Sequence, residues 1–175
     1  MISPFASERL HICTLRALPP EQKAAFYAWI ESLTPEADNE QGVGPDGFAA
    51  WLRLHEPIPG DTTYVFTDRE TGALLGTASL VKRDRETEAE PGGWVIGGVN
   101  VVGARRQQGI GTAIMRFLEA ALQHQAEAEN RAIPVKLVAT YAPAIRLYER
   151  FGFTKVPGSR DEYAKTYLPE MRRGG

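Results

Sequence analysis

Arg106-Gln107-Gln108-Gly109-Ile110-Gly111 lies where this 175-residue chain changes from a strand's hydrophobic period to a helix's. On its N-terminal side, Trp94 to Val102 reads Trp-Val-Ile-Gly-Gly-Val-Asn-Val-Val, which predicts a strand. The paired Gly97-Gly98 inside it predicts a bulge or a close backbone approach. On its C-terminal side, Ile110, Ile114, Phe117 or Leu118, Ala121 and Leu122 form the apolar stripe of a long helix running to about Asn130. Such a turn aims the unpaired N–H groups of a helix N-terminus at one point, where the helix dipole also favours negative charge. Gly109 and Gly111 carry no side chains that would keep an anion away. The arrangement suits a pyrophosphate, and it also serves as a plain tight connection. Two nucleotide-binding patterns fail on spacing. Gly111 is followed by Thr112-Ala113 rather than Lys-Ser/Thr, and Ile114 stands where a dinucleotide fingerprint needs its third glycine.

Downstream, Val135 to Thr140 is a strand and Pro143 to Phe151 a short helix. Ala144, Leu147, Tyr148 and Phe151 share one side of that helix, and Gly152 is its C-terminal stop. Phe153 to Val156 and Tyr163 to Leu168 follow as strands around a turn at Pro157-Gly158. Upstream, Thr63 to Thr67 and Ala73 to Val81 flank Asp68-Arg69-Glu70-Thr71-Gly72, a polar hairpin connection ending in glycine. Before them come a strand from Leu10 to Arg16, a helix entered at Pro19-Pro20 and running through about Leu33, and a short helix from Phe48 to His55. Thr34 to Gly47 and Lys82 to Gly93 are polar and read as loops. The order strand, two helices, three strands, helix, strand, helix, two strands predicts a mixed sheet with helices on its faces. With no internal repeat and no dividing linker, residues 1–175 are expected to form a single domain.

Composition narrows the partners. Apolar residues make up 43% and charged residues 24%, near the globular average, so neither a disordered nor a fibrous class fits. Lys+Arg 20 against Asp+Glu 22 leaves a net charge of −2, with no global basic field to draw the chain to nucleic acid or anionic lipid. Neither a nucleic acid nor a membrane is therefore an expected partner. Cys13 is the single cysteine, which rules out an internal disulfide and CxxC-type metal sites. It sits among Leu10, Ile12 and Leu15, where a packed thiol is expected rather than a nucleophile. His11, His55 and His124 show no metal-ligand spacing, so no metal is expected. Met1 to Leu10 lacks the pattern of a signal peptide and no run reaches the length of a membrane span, giving a cytoplasmic expectation.

Two separated motifs then resemble one family. Arg106-Gln107-Gln108-Gly109-Ile110-Gly111 is similar to the (Gln/Arg)-x-x-Gly-x-(Gly/Ala) signature of the GNAT N-acetyltransferases, and it follows a strand as it does there. Ala144-Ile145-Arg146-Leu147-Tyr148-Glu149-Arg150-Phe151-Gly152-Phe153 resembles that superfamily's second motif, Ala-x-x-Leu-Tyr-Glu-Lys-x-Gly-Phe. The resemblance spans about Leu10 to Leu168. It implies an α/β fold with a mostly antiparallel central sheet of about seven strands and helices on both faces. It also implies transfer of an acetyl group from acetyl-CoA, as co-substrate, to an amine by direct attack in a ternary complex.

Carried onto this chain, the resemblance gives Arg106, Gln107, Gln108, Gly109, Ile110, Gly111 and Thr112 to the coenzyme A pyrophosphate. Val101 and Val102 would offer backbone hydrogen bonds to the pantetheine arm, where their strand splays from Val135 to Thr140. Ala144 would also line the cofactor site. A backbone N–H near Asn100 or Val101 would polarise the thioester carbonyl. Tyr148 would be the catalytic acid that protonates the leaving thiolate, since a phenol of pKa about 10 is protonated at neutral pH. Tyr141 stands where the second motif usually has asparagine and Gln107 where glycine is common. The strand Trp94 to Val102 holds no acid that could serve as base; His55, Glu56 and Asp61 are conceivable, and none is assigned. The amine acceptor is not identified, a homodimer is compatible with the family, and a non-catalytic acyl-CoA-binding module is the rival class.

Overall fold

A computed structural model describes residues 7–33, 47–82, 92–103 and 109–170. Its elements are β1 (Leu10–Thr14), α1 (Pro20–Glu31), α2 (Gly47–His55), β2 (Thr62–Asp68), β3 (Leu74–Lys82), β4 (Trp94–Val101), α3 (Ile110–Glu129), β5 (Ile133–Val138), α4 (Ala142–Arg150), β6 (Thr154–Lys155) and β7 (Glu162–Tyr167). The order of elements read from the sequence holds throughout. Boundaries move by one or two residues, and β1 ends at Thr14 because Leu15–Ala17 closes into a 3-10 turn.

The seven strands form one sheet in the order β1-β2-β3-β4-β5-β7-β6. Every pairing is antiparallel except β4 with β5. This is the expected mixed, mostly antiparallel α/β sheet, and helices cover both faces. On one face α3 buries Ile110, Ile114, Met115, Leu118 and Leu122 against Phe66, Ala78 and Ile96. Each such side chain contributes about 1.5–3 kcal/mol on leaving water. On the other face α1 and α2 pack Phe26, Ile30, Phe48 and Leu52 against Val65. Val65 and Phe66 are adjacent and serve opposite cores, as a strand's alternation requires.

The β2–β3 hairpin closes as its sequence anticipates. The Asp68 N–H donates to the Ala73 carbonyl at 2.8 Å, and Asp68 Oδ1 accepts the Glu70 N–H at 2.9 Å. Asp68 is fully buried and takes the Arg9 guanidinium on its other oxygen. At Cys13 the thiol points at the Val65 carbonyl, 3.8 Å away, and desolvation raises its pKa, so it is a packed thiol rather than an activated one. Among the described residues no helix is long and apolar enough to cross a membrane.

Candidate functional site

The decisive geometry is in β4. Thr77 pairs with Asn100 and Ser79 with Gly97, so Ala78 alone on β3 faces both Gly98 and Val99 on β4. That extra residue is a β-bulge, with Gly98 at a φ of 59° that side chains rarely adopt. The bulge turns two consecutive residues toward the same side. A Cβ on Gly97 would lie 2.9 Å from the Trp51 ring, and one on Gly98 would lie 2.4 Å from the Phe48 ring. Of the two readings of the glycine pair the bulge is realised, and what approaches closely is not backbone but the aromatic side chains of α2.

Beyond the bulge the sheet opens. β4 pairs with β5 only at Trp94–Val135 and Val95–Lys136. From Ile96 onward β4 stays with β3, through Val101–Gly76, while β5 stays with β7, through Val138–Glu162. A wedge therefore separates the C-terminal halves of two parallel strands. The Val102 N–H is engaged by the Leu75 carbonyl at 2.8 Å, so that amide faces β3 rather than the wedge. By strand alternation the backbone groups of Val101 face the other way. On the β5 side, Val138 (37%) and Tyr141 (49%) are exposed at the wedge's rim.

α3 starts at this opening. Its N-cap is Gly109, with a left-handed φ of 80° and no side-chain cap, and the first intrahelical bond is Ala113 N–H to the Gly109 carbonyl at 3.1 Å. The N–H groups of Ile110, Gly111 and Thr112 thus have no intrahelical acceptor, and the helix dipole adds partial positive charge there. Gly111 packs against α4, where a Cβ would sit 3.2 Å from the Leu147 side chain. Arg106, Gln107 and Gln108 lie outside the described residues, as do the 34–46 segment and the acidic stretch Glu86 to Glu90.

α4 begins just after β5 and ends in the glycine stop read from the sequence. Gly152 has a φ of 88°, its N–H donates to the Glu149 carbonyl, and the Phe153 N–H donates to the Tyr148 carbonyl at 3.1 Å. Tyr148 is buried, with its ring edge-on to Phe153 at 6.4 Å between centroids. It belongs to the same core as Ile110, with Val101, Ala144 and Leu147 packed against that core. Among the described residues its hydroxyl has no hydrogen-bond partner. Burial pushes its pKa well above the usual tyrosine value, so the phenol is neutral across the physiological range.

His55, Glu56 and Asp61 gather elsewhere. His55 Nδ1 lies 2.8 Å from Asp61 Oδ2, while Asp61 Oδ1 accepts the Lys82 N–H at 2.9 Å. Lys82 pairs with Trp94, at the closed start of β4 and roughly 20 Å of strand from Val101. Glu56 is satisfied by Lys23 Nζ at 2.6 Å and Tyr27 Oη–H at 2.8 Å. Glu56 and Asp61 border a cavity of about 80 Å³ beside the start of β2, while the His55 ring lies 4.4 Å from that of Trp51, which packs over Gly97. Among the described residues no group of three or more His, Cys, Asp or Glu is placed to hold a metal ion.

Known proteins with this architecture are numerous. A putative GnaT-family acetyltransferase from Bordetella pertussis superposes with a TM-score of 0.63 at 17% identity, covering 94% of this chain and 98% of that one. Spermidine N-acetyltransferase from Vibrio cholerae, solved in complex with CoA and spermine, gives 0.59 at 13% identity, covering 91% and 94%. Arabidopsis thaliana NAA60 in complex with acetyl-CoA gives 0.56 at 15%, covering 90% and 97%. At such identities the likeness is one of fold, and none of the curated proteins matches the chain. The acetyltransferase (GNAT) family, however, matches residues 23–153, three-quarters of the sequence and all of the bulge, wedge and helix-start geometry, and the chain belongs to that family.

Proposed function

We propose that the protein transfers the acetyl group of acetyl-CoA to an amine by direct attack, with both substrates bound at the β4–β5 wedge. The observation that carries this is the loss of pairing after Val95, which leaves a slot where an extended pantetheine arm would take the place of a strand. The pyrophosphate would lie on the N–H groups of Ile110, Gly111 and Thr112, flanked by Arg106, Gln107, Gln108 and Gly109. Val101 would supply backbone hydrogen bonds to the arm, with Val102 and Ala144 lining it.

In this scheme the amine nitrogen attacks the thioester carbon. The carbonyl oxygen takes up negative charge against a backbone N–H near Asn100 or Val101, and the C–S bond then breaks. Tyr148 gives its proton to the departing thiolate. Burial holds the phenol neutral, and a thiolate left in the slot would also lose solvation, which favours its taking up a proton. β4 carries no carboxylate, and Glu56 and Asp61 are engaged by Lys23 and His55, so in this scheme the amine's proton leaves to water. The relative that holds CoA and spermine together makes polyamines the first acceptor pool to assay.

The test is thiol release from acetyl-CoA with pooled polyamines, amino acids, aminoglycosides and short peptides. Tyr148→Phe is expected to lower kcat about 100-fold while the melting temperature still rises with acetyl-CoA. Release unaffected by Tyr148→Phe would remove the acid role. A melting rise with no release in any pool would favour a non-catalytic binding module, and no melting rise would overturn the wedge as a coenzyme A site.

A further inference from the structure

Lys165 is on β7, in a strand that the chemistry above does not touch. Its Nζ donates to the Phe151 carbonyl at 2.6 Å, at the C-terminal end of α4. The same ammonium lies 3.2 Å from Glu119 Oε1 on α3 and 4.7 Å from the centre of the Tyr167 ring. One cation thus joins three elements: the end of α4, the middle of α3 and the last long strand. A positive charge at a helix C-terminus is favourable because the last carbonyls lack intrahelical donors. Here it falls on the turn that carries Tyr148, whose own carbonyl accepts both the Phe151 N–H at 3.0 Å and the Phe153 N–H at 3.1 Å. The Tyr148 backbone is therefore set by a turn whose outer carbonyl is held by Lys165. The phenol has no hydrogen-bond partner among the described residues that could aim it. Its direction rests on ring packing against Phe153 and on the placement of this turn.

We infer that Lys165, held by Glu119, is a positioning residue for the Tyr148 hydroxyl, an inference that rests on the acid role proposed above. Lys165 touches neither substrate in this scheme. It fixes the turn of α4 from which the phenol projects.

The experiment is a double-mutant cycle in the full chain, reading kcat and the KM for acetyl-CoA. Lys165→Met is expected to lower kcat about tenfold with KM within twofold, and Lys165→Arg to recover most of the loss. In the Tyr148→Phe background, Lys165→Met should cost less than twofold more, because the residue through which it acts is already gone. Full additivity of the two losses, a change confined to KM, or an unchanged kcat in Lys165→Met would each overturn the positioning role. If Lys165→Met is too unstable to assay, Glu119→Gln, which loosens the lysine without removing it, should show a smaller kcat loss with the same non-additivity. Tyr148→Phe as active as the parent would instead sink the acid role itself.

Discussion

The two ends of β4 differ in one respect that explains the rest of the molecule. At Trp94 and Val95 the strand is paired on both sides, with β3 at Lys82 and Val81 and with β5 at Val135 and Lys136. At Asn100 and Val101 it pairs with β3 alone. The closed end is crossed by polar ties such as Asp61 to the Lys82 N–H, and its carboxylates are satisfied by neighbours. The open end has exposed apolar residues on its rim, an uncapped helix start and a neutral buried phenol. A parallel pair of strands opens into a wedge here, beside a bulge that bends one of them.

The largest effect is expected where that bend is made. Gly98→Val would place a β-branched residue at a φ of 59° and drive its Cβ into the Phe48 ring. It should cost about 3 kcal/mol or more in urea unfolding. Gly103→Ala, whose Cβ meets nothing within 4 Å among the described residues, should change stability by about 0.5 kcal/mol at most. Equal costs would mean that the bulge is not what holds the strand in its bent course.

A smaller and more selective effect belongs to the helix start. Gly111→Val sets a branched side chain beside N–H groups that have no intrahelical acceptor, and against Leu147. It is expected to weaken acetyl-CoA binding about tenfold, a loss of about 1.4 kcal/mol, while unfolding midpoints move little. Calorimetric titration with acetyl-CoA decides this, and unchanged affinity would shift the pyrophosphate away from this turn.

The smallest effect concerns the β2–β3 turn, two strands away from the wedge. Desolvation works to raise the Asp68 pKa, yet the Glu70 N–H and Arg9 outweigh it and hold the carboxyl below the usual range. Because the folded value is depressed, its stabilising contribution is present above the unfolded pKa of about 3.9 and is lost as pH falls through the folded value. Asp68→Asn should flatten the acid limb of a stability–pH curve and leave coenzyme A binding unchanged. An acid limb identical to the parent's would show that other carboxylates carry it.

Much of this was legible in the chain because it depends on neighbours in sequence. The change of period at Gly109, the stop at Gly152 and the turn at Asp68 to Gly72 are local patterns, and the structure follows them within a residue or two. The two motifs placed the chain in its family before any coordinates. Gly97-Gly98 announced an irregularity, but not that Phe48 and Trp51, some fifty residues earlier, occupy the space it leaves. No local rule marks Lys165, which on its own strand is simply a half-buried residue. The outward turn of the Val101 backbone and the engagement of the Val102 N–H depend on how β3 registers against β4. His55, Glu56 and Asp61 could be named from the sequence, but their pairing, His55 with Asp61 and Glu56 with Lys23, depends on the fold. What the sequence determined by itself was the order of elements, the family and the glycine turn that opens α3, since these follow from propensity and spacing over short stretches. Where the sheet opens, which groups border the opening and which cation holds the tyrosine's turn were decided only by tertiary structure, because each depends on contacts between residues far apart in the chain.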